Sequence, residues 1–341
     1  MVVNIISKSL FKGGITGPSK VVKNTVNGLK MLGVECVYNQ PISKYKNNWI
    51  HDNKAAVIEA GFCNKPVIIG PNIATAPDEL PIFRKKLHKN SIFLIPSKWV
   101  VDLWSYFEYH ETDIKVWPAG IDTDEFSLVE RKSTDKILLY FKQRDVEILH
   151  SVKEILVKYN FNYELICYGE YKQEDYVKAL HNCSFGIWIG CSESQGIGLQ
   201  EALATNMPLI VLDVKTIFDT FPIRTKKYIP YSFPKGASRI RATSAPYFDE
   251  RCGIIVNNIN ELQNKITEFS LNVDKYSPRA YIMEKLSLKI SAGCIVVFFK
   301  NINLKKTNQL NFRLLSFFLF YLGLLFQKIA WKRIWHKINP Y

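Results

Sequence analysis

The 341 residues are 47% hydrophobic and 22% charged, which excludes a disordered chain and suits two folded domains of ordinary size. The formal net charge is +14, yet eight Lys or Arg and no Asp or Glu fall between Lys300 and Tyr341, leaving about +6 on the first 299 residues. That remainder suits a groove for anionic small molecules. Without an aromatic-and-basic stacking motif or a zinc-ligand spacing, it makes no case for nucleic acid.

In chain order, "VVNIIS" (2–7) predicts a first strand and "KGGITGPSK" (12–20) a loop carrying Gly13, Gly14 and Gly17. Val22, Val26 and Leu29 then recur at helical spacing, with Gly17 able to cap and Pro18 suited to the first turn. "ECVYN" (35–39), "KPVIIGPN" (65–72) and "SIFLIPS" (91–97) read as further strands separated by helical stretches, a pattern that implies a parallel sheet covered on both faces. After the polar stretch "VERKSTDK" (129–136) the pattern repeats, with strands expected at 137–141, 163–168, 185–190, 208–212 and 253–256. The expected architecture is α/β: two tandem Rossmann-like doubly wound domains facing each other across a cleft. The expected divisions are 1–128, 129–299 and a basic, aromatic-rich tail 300–341. The long segment 215–252 has four prolines and no clean periodicity, which predicts a functional or mobile loop.

Seven cysteines are scattered and odd in number, several in apolar strand-like runs, as expected of buried thiols in a reducing compartment. The start lacks the basic, apolar and small-residue sequence of a signal peptide, so a cytoplasmic protein is expected.

The chemistry concentrates in "CSESQGIGLQEALATNMPLIVLD" (191–213). "IGLQEALA" predicts a helix whose first amides, near Gly196, Ile197 and Gly198, are free to hold phosphate oxygens. Glu193 precedes that helix and Glu201 lies within its first turns, so both carboxylates can accept hydrogen bonds from sugar or ribose hydroxyls. The competing reading is a helix cap for Glu193 and a solvated helix face for Glu201. Glycines 13, 14 and 17 offer a second, weaker place for backbone amides to approach an anion.

The 191–213 stretch resembles the donor-binding signature of glycosyltransferase family 4, retaining enzymes of the glycosyltransferase-B fold. "IPSKWVVDLW" (95–104) with "IKVWPAGIDTDEF" (114–126), and "SPRAYIMEKLSLKISA" (277–292), are similar to segments joining and following that family's domains. The resemblance implies transfer of a sugar from a nucleotide-diphosphate donor with retention, the donor being a co-substrate and no metal or other cofactor being required. It implies Glu193 at the donor sugar, Glu201 at the ribose, and Gly196 and Ile197 amides at sugar or phosphate. A basic pair at the start of the second domain would neutralise the leaving diphosphate, with Lys142 and Arg144 of "LLYFKQRD" as candidates. Gln195 and Ser194 depart from the family's usual residues, the two basic residues are unusually close together, and Asn72, a candidate site residue that can donate to a sugar hydroxyl but cannot exchange protons, stands where many relatives place a histidine near the donor sugar. His51 in "WIHDN" is a further candidate, weighed against a structural role. The acidic pair in "DTD" (122–124) is expected to make a turn rather than hold a divalent ion.

Residues 314–326 carry no charge, and Trp331 and Trp335 follow among Lys328, Lys332, Arg333 and Lys337. A thirteen-residue helix spans roughly 20 Å, too short for a bilayer core of roughly 30 Å. An amphipathic helix lying on the inner membrane face through residues 314–337 is expected, with packing on the first domain as the alternative. A membrane position suggests a glycan or lipid-linked acceptor. The competing functions are a sugar-nucleotide epimerase or phosphorylase, and a non-catalytic nucleotide- or glycan-binding protein on the same fold.

Overall fold

The structure, a computed structural model, describes residues 1–10, 16–74, 87–106, 113–130, 136–220 and 239–304. The chain forms two compact units. The first comprises Met1–Ile95 with the described parts of Phe107–Trp117 and Ser291–Tyr341, and the second comprises Pro96–Tyr106 and Pro118–Ile290.

In the first unit a parallel sheet runs in the order β2-β1-β3-β4-β5-β6. Its strands are β1 (Val2–Ile6), β2 (Glu35–Tyr38), β3 (Asn48–Ile50), β4 (Ile68–Ile69), β5 (Ile92–Ile95) and β6 (Asp113–Val116). Helix α1 (Gly17–Met31) is capped by Thr16 rather than by Gly17. Thr16 and Ser19 form a reciprocal capping box, with Pro18 in the first turn, a device that stabilises a helix start by about 1 kcal/mol. Helix α2 (Lys54–Cys63) is capped by Asn53 and ends in left-handed Asn64.

The strands β3 and β6 have no strong signal in the sequence: β3 is only three residues long, and β6 is a partly exposed edge strand. What secures β3 is Trp49, fully buried, with its indole N–H donating to Gly70 at 2.8 Å and its ring edge-on to Trp117 at 5.9 Å.

The second sheet, also parallel, runs β11-β10-β9-β7-β8. Its strands are β7 (Lys136–Phe141), β8 (Asn162–Cys167), β9 (Phe185–Ile189), β10 (Leu209–Leu212) and β11 (Gly253–Val256). Helices α3 (Lys98–Ser105), α4 (Val146–Lys158), α5 (Gln173–Asn182), α6 (Ile197–Ala204), α7 (Ile259–Ser270) and α8 (Pro278–Lys285) belong to this unit, and α9 (Leu288–Leu304) leads the chain back to the first. Alternate residues of β7 feed two cores: Ile137 and Leu139 pack with Leu149, Val152, Leu262 and Ile266 of α4 and α7, while Leu138 and Tyr140 pack with residues of α5, α6 and α8. Because both faces are covered, the strands read as continuous apolar runs. Burying one such Leu or Ile fully contributes roughly 1.5–3 kcal/mol.

The units divide after Trp117, ahead of the expected 128, and they divide again before Ser291. The physical reason is bonding. Ile121 N–H donates to Leu286 O at 2.8 Å, and the Arg279 guanidinium donates to Thr123 O and Phe126 O at 3.0 and 2.9 Å, which ties 121–126 to the second unit. On the other side, Trp117 donates to Ser291 O at 3.0 Å and Asn303 to Asn47 at 2.8 Å, within the first unit. The apolar and basic tail 314–337 lies outside the described residues, among which no helix is long and apolar enough to cross a membrane.

Candidate functional site

In a doubly wound sheet the chain reverses its direction of travel between the first and third strands, and ligands bind at the carboxyl ends there. In the second unit that point lies between β7 and β9. The turn after β7 delivers Lys142, whose N–H donates to Ile189 O at 2.9 Å, and the turn after β9 delivers Gly190 to Glu193. Lys142 Nζ and Glu193 Oε1 meet at 2.6 Å, with side chains only 13% and 14% exposed. The ammonium also lies 4.3 Å from the centre of the Tyr168 ring, just past β8. Burial opposes the charge on Lys142, but Glu193, Cys191 and Tyr168 outweigh it, so its pKa stands above the ordinary value.

Glu193 is held at both ends of its backbone. Its N–H donates to Thr243 O at 2.9 Å, and its carbonyl accepts from the Trp99 indole at 2.9 Å. Cys191 Sγ lies 3.7 Å from Glu193 Oε1 and 3.8 Å from Gln143 Oε1.

Gly196 starts α6 with φ 79° and ψ 47°, a left-handed conformation that favours glycine, and no side chain caps the helix. The first amides of α6, those of Ile197 and Gly198 among them, therefore have no side-chain acceptor at the cap position. The helix lies over Tyr140 and Trp188, whose rings stack 3.7 Å apart, and Tyr176 donates its hydroxyl to Gly198 O at 2.6 Å.

Glu201 is 2% exposed, so it is no solvated helix face. A carboxylate so placed is costly unless it is paired or has a role. Burial first, and Glu201 among the other causes, raises the pKa of both Tyr171 and Tyr176. Gln195, also buried, exchanges hydrogen bonds of 2.9 and 2.8 Å with the backbone of Ala119 and donates to Gln200 at 3.0 Å. Its amide thereby braces the turn that leads into α6.

Arg144 does not join Lys142 at Glu193. It is 7% exposed and donates through Nη1 to Gly190 O at 3.0 Å and Leu212 O at 3.1 Å. In the first unit, Asn72 stands in an exposed turn after β4, Gly17 is the first residue of α1, and Gly13 and Gly14 lie outside the described residues. His51 follows β3 directly, fully buried, with Nε2 at 3.0 Å from Pro18 O. The Asp122 carboxylate accepts from the N–H groups of Asp124 and Glu125 at 3.2 and 3.1 Å, so the acidic pair makes a turn as expected. Among the described residues no group of three or more His, Cys, Asp or Glu is arranged to hold a metal ion.

Trp99, Tyr168, Asp213, Thr243 and Ser244 were not singled out by the sequence. The available signals were weak: an aspartate closing the apolar run "LIVLD", and hydroxyl residues in a stretch without periodicity.

Two units with parallel doubly wound sheets of this order, the second carrying this site, have the glycosyltransferase-B fold. Comparison of the sequence with protein-family models and with curated proteins finds no match. Among solved structures, the chain is similar to a sucrose-phosphate synthase from Thermosynechococcus elongatus, with 9% identity and a TM-score of 0.55 over 89% of this chain and 100% of that one. It is similar also to the lipopolysaccharide outer core galactosyltransferase WaaB in its apo form, with 12% identity and a TM-score of 0.52 over 90% of this chain and 100% of that one.

Proposed function

We propose that the chain is a glycosyltransferase that moves a sugar from a nucleotide-diphosphate donor to a glycan or lipid-linked acceptor, with retention at the anomeric carbon and without a metal. The observation that carries the reading is the part-buried Lys142–Glu193 pair beside the uncapped start of α6. When the bond between sugar and diphosphate breaks, negative charge develops on the leaving phosphate. Once the donor is bound, an ammonium held at the diphosphate and the first amides of α6 lower the energy of that state. In this reading Lys142 turns from Glu193 to the diphosphate as the donor enters. Glu193 then accepts hydrogen bonds from donor-sugar hydroxyls, and Glu201 accepts them from the ribose.

The fold supports this reading, since both similar structures bear the names of sugar-transferring proteins. The acid-free tail supports a position on a membrane's inner face, where its basic residues meet anionic head groups and its tryptophans the acyl boundary. Asn72 is proposed to donate to a sugar hydroxyl, and Gly13, Gly14 and Gly17 to let backbone amides approach an anion.

The test is nucleoside diphosphate release from a panel of UDP-, GDP- and ADP-sugars by the full chain, with and without EDTA. Release from one donor, lost in Glu193→Ala and Lys142→Ala and indifferent to EDTA, is expected. Neither release nor saturable binding of any donor would overturn the proposal.

A further inference from the structure

Lys142 and Arg144 are two residues apart, yet they make entirely different contacts. Gln143 between them has φ 51°, in the left-handed region. Lys142 goes to Glu193, whereas Arg144 enters the carboxyl edge of the sheet, where one of its terminal nitrogens bridges the carbonyls that end β9 and β10. Gly190 O accepts a second bond, at 3.0 Å, from Ser244 Oγ. The next links close a ring. Ser244 N–H and Thr243 Oγ1 donate to the Asp213 carboxylate at 2.6 and 3.0 Å, and Thr243 O accepts from the Glu193 N–H at 2.9 Å. Burial lowers the Arg144 pKa and outweighs the attraction of Asp219 and Asp213; Asp219 stands in a 3-10 turn, where its carboxylate accepts from Lys215 and Thr216 N–H.

We propose that Arg144 is a positioning residue: it clamps the ends of β9 and β10, and through Gly190, Ser244, Asp213 and Thr243 it fixes the turn that presents Glu193. Lys142 is then the basic residue of this turn that meets the leaving diphosphate. This last assignment rests on the donor reading above, whereas the clamp itself does not. Strand-end carbonyls buried without a partner are costly, and the guanidinium serves Leu212 O while sharing Gly190 O with the Ser244 hydroxyl. With Nη1 committed to both carbonyls and Nε buried, Nη2 is the one guanidinium nitrogen left for a ligand while the clamp holds.

The experiment uses the full chain and three variants, Arg144→Lys, Ser244→Ala and Lys142→Met. Hydrogen exchange is followed in peptides covering 189–196 and 212–216. Binding of UDP, GDP and ADP is followed by calorimetry, and kcat and KM are measured with whichever donor sugar is hydrolysed. A lysine ammonium ends one bond short of the Nη1 position, so Arg144→Lys should withdraw the donor from both carbonyls and raise exchange in both peptides by about tenfold, the equivalent of one lost charge-assisted hydrogen bond. Ser244→Ala should raise exchange in the first peptide. Arg144→Lys should lower kcat while leaving donor KM and nucleotide affinity within about threefold of wild type, and Lys142→Met should weaken nucleotide binding by about tenfold or more. Wild-type exchange in Arg144→Lys would overturn the clamp. So would a rise in KM at unchanged kcat, or a loss of nucleotide affinity matching that of Lys142→Met. If wild type binds none of the three nucleotides, the donor reading fails, and the exchange measurements still decide the clamp.

Discussion

The Trp99 indole N–H donates to the backbone carbonyl of Glu193 at 2.9 Å, so a helix that precedes β7 by more than thirty residues helps to hold the turn after β9. The bond acts on the backbone of the residue whose carboxylate meets Lys142, and it therefore fixes where that carboxylate starts. Trp99→Phe keeps most of the ring packing and removes the donor. A stability loss of about 0.5–1.5 kcal/mol is expected in chemical denaturation, the usual net worth of one hydrogen bond. A several-fold fall in donor turnover should accompany it, because a small displacement of a positioned group is costly in rate. Unchanged turnover with the expected stability loss would show the bond to be structural only.

The Lys142–Glu193 pair makes a prediction of its own. Removing one partner leaves a part-buried charge uncompensated, so Lys142→Met and Glu193→Gln should each destabilise by about 1–3 kcal/mol, between the values for exposed and for fully buried pairs. The double variant should be more stable than the sum of the two losses predicts, giving a coupling of about 1–3 kcal/mol in a double-mutant cycle. The pKa of Lys142 is raised above its ordinary 10.5, so its contribution is fully present below that value and is lost as pH rises through the higher folded value. Wild type should therefore lose stability above about pH 10.5 more steeply than Lys142→Met does.

Much of the second unit was legible because its strands are buried on both faces and read as unbroken apolar runs between turn residues. Residues 253–256 coincide with β11, and 137–141 fall within β7. The sequence marked Glu193 and Lys142 separately, and their pairing was not read from it; it arises because both follow neighbouring strands, β9 and β7. Nor was the partner that holds Glu193 in place. Trp99 and Thr243 act through backbone carbonyls and Arg144 through strand ends, and no periodicity or motif spacing encodes such tertiary bonds. Arg144 resembled a second phosphate ligand because sequence shows its charge and position, and the left-handed turn at Gln143 that takes it elsewhere has no glycine to mark it.

Two glycines separate conformational strain from steric exclusion. At Gly196, φ is +79° but a Cβ would meet its neighbours at an ordinary 3.6 Å, so Gly196→Ala should cost only about 1–2 kcal/mol of backbone strain. At Gly253, φ is +132° and a Cβ would stand 2.0 Å from Leu209 O, inside the pairing of β10 with β11. Gly253→Ala must part those strands, and it should yield no folded protein at 37 °C, whereas Gly196→Ala should fold and lose donor binding through a displaced helix start. Circular dichroism and nucleotide calorimetry on the two variants distinguish these outcomes.

His51 is expected to set the acid limit of the first unit. The ring is fully buried against Trp49 and the Pro18 carbonyl, and burial lowers its pKa below the ordinary 6.5 despite the nearby Asp52. In the unfolded chain the ring takes up a proton near pH 6.5, while in the folded chain it stays neutral to lower pH. Below that point the unfolded state binds the extra proton, so stability is complete above pH 6.5 and declines as pH falls toward the folded value. Denaturation midpoints measured from pH 7.5 to 5 should fall in wild type, and the fall should be shallower in His51→Gln, whose amide can still donate to Pro18 O but does not titrate. An equal slope in both proteins would assign the acid sensitivity to other groups.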